Sequence, residues 1–384
     1  MKVCFVSGSY PPIPCGIGDY LERLTAALNE AGVGAEIITS TSGGLARTSA
    51  TTVIPMVSSW DVRALPMVLS KIRDLGPDIV NIEYPTQRYG RQPVVNLIPA
   101  LIRAQSHIPV VTTVHEFSTY HRLGRWRVGL SVFTSNAVII PDRVNLNQMI
   151  RAFPRFQPKM FHVPLGANIE PRLDGGDPRR RRAQYGADDS SIVLVYFGFV
   201  SPSKGIEILL EAFRCLEDKH PEGDIHLVMI ANREAAEPRY MEYHRSIERS
   251  LQALGGEQRM HWTGYLTQTE VSAYLASADI AVLPFLDGAS LRRTTLISAL
   301  AHGLPVISTQ GNAIADERLN DEHGVTLVRA GDAGALAEAI WSLSQDSGRR
   351  KILAARAREF ASGFSWPRIA AQTLEVYKKV LGEA

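Results

Sequence analysis

The chain is short of cysteine, of charge of one sign and of long apolar stretches, and each shortage excludes something. Cys4, Cys15 and Cys215 are the only cysteines in 384 residues, an odd number with no Cys-x-x-Cys pair. No disulfide framework is available, and the usage fits a reducing compartment. Cys4 falls in the first apolar run and Cys215 in a helical pattern, so both read as small core residues, whereas Cys15 sits in a Pro/Gly loop. Lys and Arg number 41 against 39 Asp and Glu, a net charge of +2. That lacks the basic excess of a protein that tracks nucleic-acid phosphates. No apolar stretch reaches membrane-spanning length, and Met1-Lys2 runs directly into Val3–Val6 without a signal-peptide core. The expected location is the cytoplasm. Neither GxGxxG nor HExxH occurs.

What is present is enough apolar material for two cores. With 45% hydrophobic and 21% charged residues over this length, two globular domains are expected, neither requiring a metal or disulfide staple. In the first half, short apolar runs (Val3–Ser7, Ala35–Thr39, Ile79–Ile82, Val110–Val114, Ala137–Ile140, Met160–Val163) alternate with amphipathic stretches such as Asp19–Ala31, Val62–Leu75, Val94–Ser106 and Arg143–Ala152. Strands apolar on both faces and separated by helical patterns predict a parallel sheet covered on both sides.

The pattern breaks over Leu173–Ser191, which holds Asp-Gly-Gly-Asp-Pro and the run Arg179–Arg182. The arginines read as the solvated face of a first helix rather than an anion site. The alternation restarts at Ile192–Phe197 and continues through strands at Ile225–Ile230, Met260–Trp262, Ile280–Leu283, Val306–Ser308 and Gly324–Val328. A last helix, Trp366–Leu381, has no strand after it. The fold class is therefore α/β, two Rossmann-like doubly wound parallel sheets. Residues 1–170 form the first domain, 171–365 the second, and 366–384 a helix expected to pack back on the first. Ligands of such sheets bind beyond the strand C-termini, so a site is expected in a cleft between the domains.

Three loops carry candidate chemistry. Tyr10–Tyr20 follows the first strand and opens the first helix, with Gly16 and Gly18 able to bring backbone amides close to a phosphate. Phe197–Gly205 does the same in the second domain, with Gly198 and, at the mouth of the next helix, Lys204. A cation at a helix start opposes the dipole unless an anion joins it. Pro284–Thr295 leads from a strand into a helix through Asp287, Ser290, Arg292, Arg293, Thr294 and Thr295, a mixture of candidate caps, phosphate donors and charge. An arginine paired with a nearby acid is the competing reading of that loop.

In their order these loops resemble the family-4 retaining glycosyltransferases of the GT-B fold, which move a sugar from a nucleotide donor to an acceptor. The resemblance runs over nearly the whole chain. It takes in Val114-His115-Glu116, Val163–Asn168, Thr263-Gly264-Tyr265 and Ala299–Ile307 as well. It implies that Gly16 approaches the donor diphosphate, that His115 contacts the transferred sugar, and that Lys204 stabilises the departing diphosphate. It also places the segment around Tyr265 near the base. The implied donor is a nucleotide-diphosphate sugar, the acceptor a carbohydrate, lipid or small molecule, with acceptor choice in the first domain. No metal or other cofactor is expected, because no Asp-x-Asp stands in a suitable loop.

The sequence departs from the family in two places. Phe199 stands where the family has arginine, and Ser290 and Ser298 stand where it has the two glutamates of E-x7-E. In the family the second glutamate holds the ribose and the first the donor sugar, so recognition must differ here. Arg292 or Arg293 is expected to replace the arginine, Asp287 to take over a polar contact to the sugar, and Arg233 to be a weaker diphosphate candidate. The missing carboxylates also admit a second reading, a glycosyltransferase-like protein that binds without catalysis. The basic aromatic segment His121–Val128 reads as a solvated helix face, an anionic acceptor site or a patch for peripheral contact with an anionic membrane.

Overall fold

The computed structural model describes residues 1–13, 15–41, 51–90, 93–117, 122–172, 176–233, 240–253, 259–311 and 318–383. The chain divides into two compact units, Met1–Gly166 with Phe364–Ala384, and Ala167–Gly363.

The first unit runs β1 (Lys2–Val6), α1 (Gly16–Glu30), β2 (Gly34–Ser40), β3 (Thr52–Val57), α2 (Ala64–Leu75), β4 (Ile79–Tyr84), α3 (Val94–Gln105), β5 (Val110–Val114), α4 (Arg122–Thr134), β6 (Ala137–Ile140), α5 (Arg143–Ala152) and β7 (Met160–His162). Its strands form one sheet in the order β3-β2-β1-β4-β5-β6-β7, every neighbouring pair parallel. Alternate residues of each strand serve opposite layers, which is why the strands read as unbroken apolar runs. Cys4, Val6, Val80 and Ile82 pack with Val68 and Ile72 of α2 and Ile98 of α3. Val3, Phe5, Ile79 and Val111 pack with Leu21, Leu24 and Leu28 of α1.

Strand β3 has no counterpart among the expected strands. Its Thr-Val-Ile-Pro-Met-Val sequence carries Pro55, which argues against a central strand; β3 is an edge strand paired only with β2, where the missing N–H costs no ladder bond.

The second unit runs α6 (Pro178–Ala183), β8 (Ile192–Phe197), α7 (Ile206–Lys219), β9 (Ile225–Ile230), α8 (Met241–Ala253), β10 (Met260–Trp262), α9 (Gln268–Ser277), β11 (Ile280–Leu283), α10 (Thr294–Ala301), β12 (Val306–Gln310), β13 (Val325–Arg329), α11 (Ala333–Gln345) and α12 (Ser347–Ala361). The sheet order is β10-β9-β8-β11-β12-β13, again parallel throughout. Of the arginine run that forms α6, Arg182 is ion-paired with Asp279 at 3.0 Å and donates to Ser277 O at 2.9 Å. The final helix, α13 (Trp366–Leu381), belongs to the first unit, where Trp366, Ile369 and Tyr377 join the layer of α1.

In both sheets the winding reverses beside the first strand, between β1 and β4 and between β8 and β11. Such switch points leave room for a ligand beyond the strand ends.

Candidate functional site

In the second unit the loops after β8 and β11 are locked together at the switch point. Gly205 has φ 66°, and a Cβ there would overlap the Pro284 carbonyl oxygen, so glycine alone lets the two loops close. The Leu286 amide donates to Ser203 O at 3.1 Å. This closure carries Lys204 to the loop that follows β11. The Lys204 Nζ lies 5.1 Å from the centroid of the Phe285 ring, and the Arg293 guanidinium carbon lies 4.0 Å from the same centroid.

The two cations have one carboxylate between them. Asp287 pairs with Arg293 through Nη2, while Arg293 Nε is buried without an acceptor. Among the described residues the Lys204 ammonium has no hydrogen-bond acceptor and no ion-pair partner. Burial first, and then the Arg293 charge, lowers the Lys204 pKa to about 8, with Asp287 opposing. Burial likewise lowers that of Arg293. Directly behind Arg293, α10 begins with no side-chain cap, and its first-turn amides at Thr294 and Thr295 have no partner within the helix. An unpaired ammonium, a buried guanidinium donor and a helix N-terminus converge on a place suited to an anion.

The other expected residues of this unit fall in different surroundings. Gly198, with its amide on Ile230 O at 3.2 Å, begins the β8 loop. Phe199, where the resemblance expects arginine, is exposed. The Ser290 hydroxyl accepts from the Arg292 amide at 3.2 Å and its carbonyl from the Arg293 amide at 3.0 Å, so Ser290 shapes the loop that presents both arginines. Ser298 is 0% exposed, and its hydroxyl accepts from the Ile169 amide at 3.1 Å. It offers no surface to a ligand here. Arg233 is held by Glu248 through two bonds of 3.0 and 2.9 Å and lies over Trp262. Tyr265 follows β10 and Gly264 and is 90% exposed.

In the first unit Gly16 opens α1, and a Cβ on it would meet nothing within 4 Å, whereas Gly18 is packed on the backbone of Tyr10. Burial raises the pKa of Asp19 in the same turn, with Glu22 adding to it. His115 follows β5. Its amide donates to Tyr84 O at 2.8 Å, and its carbonyl accepts from Asn145 Nδ2 at 3.3 Å. Asn145 is itself fixed by the α5 cap Asp142, whose carboxylate accepts the Asn145 amide. The His115 ring meets Tyr20 edge-on at 5.0 Å, and its Nε2 lies 2.6 Å from Glu83 Oε2. Glu83 was not among the expected residues. The one available signal was an acid inside the apolar run of β4. Of the segment His121–Val128, residue 121 lies outside the described residues; Arg125 and Trp126 on α4 are exposed.

Cys4 is buried, its thiol pushed up to about 12 by burial and by Glu36. Cys15 and Cys215 are free thiols of intermediate exposure. Among the described residues no helix is long and apolar enough to cross a membrane.

Comparison with known proteins is consistent with this layout. The glycosyl transferases group 1 family model matches residues 191–346, within the second unit. D-inositol 3-phosphate glycosyltransferase 2 of Catenulispora acidiphila is 28% identical over 239 residues, covering 61% of this chain and 53% of that protein. The chain spans about half the length of the curated relatives it matches. Among solved structures, sucrose-phosphate synthase from Thermosynechococcus elongatus superposes with a TM-score of 0.73 at 19% identity, covering 100% of both chains. Anabaena Alr3699/HepE in complex with UDP and glucose gives 0.74 at 17% identity, covering 99% of this chain and 100% of that one. The fold is that of the GT-B glycosyltransferases.

Proposed function

We propose that the protein is a glycosyltransferase that moves a sugar from a nucleoside-diphosphate sugar to an acceptor hydroxyl, with retention at the anomeric carbon and without a metal. One observation carries this reading: Lys204 and Arg293 converge on Phe285 with a single carboxylate, at the uncapped start of α10. A diphosphate supplies the missing negative charge. The glycosyl transferases group 1 match over residues 191–346 supports the assignment of the donor to this unit.

As the bond from the anomeric carbon to the phosphate oxygen breaks, charge grows on the leaving diphosphate. Lys204, Arg293 and the amides of Thr294 and Thr295 take it up. The acceptor oxygen bonds to the anomeric carbon from the same face, and the departing phosphate oxygen takes the acceptor's proton. His115 meets the transferred sugar, and the α1 loop with Gly16 and Gly18 approaches the diphosphate. Orientation and charge stabilisation are then the protein's whole contribution. The acceptor side belongs to the first unit. Co-sedimentation with anionic liposomes separates a lipid acceptor, held by exposed Arg125 and Trp126, from a soluble one.

A thermal-shift panel of nucleotide sugars tests the reading. Stabilisation by at least one donor, lost in Lys204→Ala, is expected; no shift with any donor contradicts it. The positions of Ser290 and Ser298 support a second reading, binding without turnover. Its mark is stabilisation by a donor with neither transfer nor hydrolysis.

A further inference from the structure

Glu83 presents an unusual expense. It is 0% exposed on the central strand β4, and among the described residues no lysine or arginine pairs with it. A buried carboxylate costs several kcal/mol unless donors surround it, so its partners show what it is for. Asn81 Nδ2 donates to Oε1 at 2.6 Å, and Asn81 is steadied in turn by Thr113 Oγ1 at 3.1 Å. The register of β4 and β5 sets Glu83 opposite Thr113, two residues before His115. The remaining oxygen, Oε2, receives His115 Nε2 at 2.6 Å. The Glu83 charge is felt by three buried phenols: after burial itself, it is the next cause raising the pKa values of Tyr20, Tyr89 and Tyr377.

We propose that Glu83 is a positioning residue for His115, a statement that rests on the glycosyl-transfer reading above. A carboxylate only accepts hydrogen bonds, so the ring proton must sit on Nε2, and Nδ1 is the ring atom left for the substrate. In the neutral ring Nδ1 accepts, so it selects a sugar hydroxyl that donates. The Tyr20 ring packs edge-on at 5.0 Å, and the main chain of His115 is held at its amide and carbonyl, so the one hydrogen bond that sets the ring's own orientation is that to Glu83. The substrate class follows: a donor sugar that keeps the hydroxyl facing Nδ1, in preference to its deoxy analogue.

Nitrogen-15 NMR of histidine-labelled protein reads the tautomer directly. In the wild type the Nε2–H form of His115 is expected; the Nδ1–H form overturns the proposal without any variant. In Glu83→Gln, whose amide can either donate to or accept from the ring, a mixture of tautomers is expected. There kcat should fall about 100-fold with donor KM changed less than about threefold, as for a misplaced group that acts beyond binding. His115→Ala and the double variant should show the same loss as each other. Wild-type kcat in Glu83→Gln, or losses that add in the double variant, overturns the proposal. If no sugar transfer is found in the wild type, the glycosyl-transfer reading fails, and the tautomer in wild type and Glu83→Gln still decides whether Glu83 orients His115.

Discussion

The Lys204 ammonium and the Arg293 guanidinium share one aromatic ring, that of Phe285, at 5.1 and 4.0 Å from its centroid. They arrive from different loops, after β8 and after β11, through an approach that only Gly205 permits. Phe199, where the resemblance expects a guanidinium, faces solvent, and in the proposed diphosphate site Arg293 stands in for it. A ring face attracts each cation, but it cannot neutralise two. The pair is a cost to the ligand-free protein and a gain on binding an anion.

The titration of Lys204 makes that cost measurable. Its folded pKa of about 8 lies below its ordinary value of 10.5. Between those values the unfolded chain binds more protons than the folded one, so this residue makes stability rise with pH. The penalty is complete below about pH 8 and relieved toward 10.5. Lys204→Met should melt a few degrees above wild type at pH 7 without ligand, and the gap should close as pH passes through that window. Nucleoside-diphosphate affinity of the wild type should decline above about pH 8. Paired melting curves over pH 6.5–10.5 check the first point and calorimetry the second.

Asp287 competes with a bound phosphate for Arg293. Asp287→Asn should tighten nucleoside-diphosphate binding several-fold and lower the melting temperature, because it leaves two buried cations unpaired. A contact from Asp287 to the sugar would show instead as weaker binding of the nucleotide sugar with the diphosphate unaffected.

Gly205→Ala places a methyl group on the Pro284 carbonyl at a positive φ. A destabilisation of about 1–3 kcal/mol in urea unfolding is expected. Diphosphate binding should also weaken, since the loops that bring Lys204 to Phe285 are forced apart.

Ser298→Ala leaves the Ile169 amide without its acceptor and should cost about 1–3 kcal/mol. Ser298→Glu, which places a carboxylate where the resemblance expects one, should destabilise more and should not improve nucleotide affinity, because the position is fully buried.

Much of the architecture was legible because parallel sheets write their strands as apolar runs. The bounds of β9, β10, β11 and α13 coincide with the runs at Ile225–Ile230, Met260–Trp262, Ile280–Leu283 and Trp366–Leu381. The strand β3 was hidden by Pro55, whose meaning depends on whether a strand is at an edge. Candidate site residues on a single loop were readable from their loop. Those defined by a partner on another strand were not. Glu83 becomes legible only once β4 and β5 are in register, and the choice between Arg292 and Arg293 only once Asp287 and Phe285 are seen beside the latter. Ser298 shows the reverse: a residue the resemblance singles out whose hydroxyl serves the backbone of Ile169.

Isothermal titration of the ligand-free protein at pH 7 with UDP, ADP and GDP tests the central claim most directly, comparing wild type with Lys204→Ala and Arg293→Gln. Binding of at least one diphosphate by the wild type is expected, weakened at least tenfold in each variant. Undiminished affinity in both variants, or no binding of any diphosphate by the wild type, would contradict a diphosphate site built on Lys204, Arg293 and Phe285.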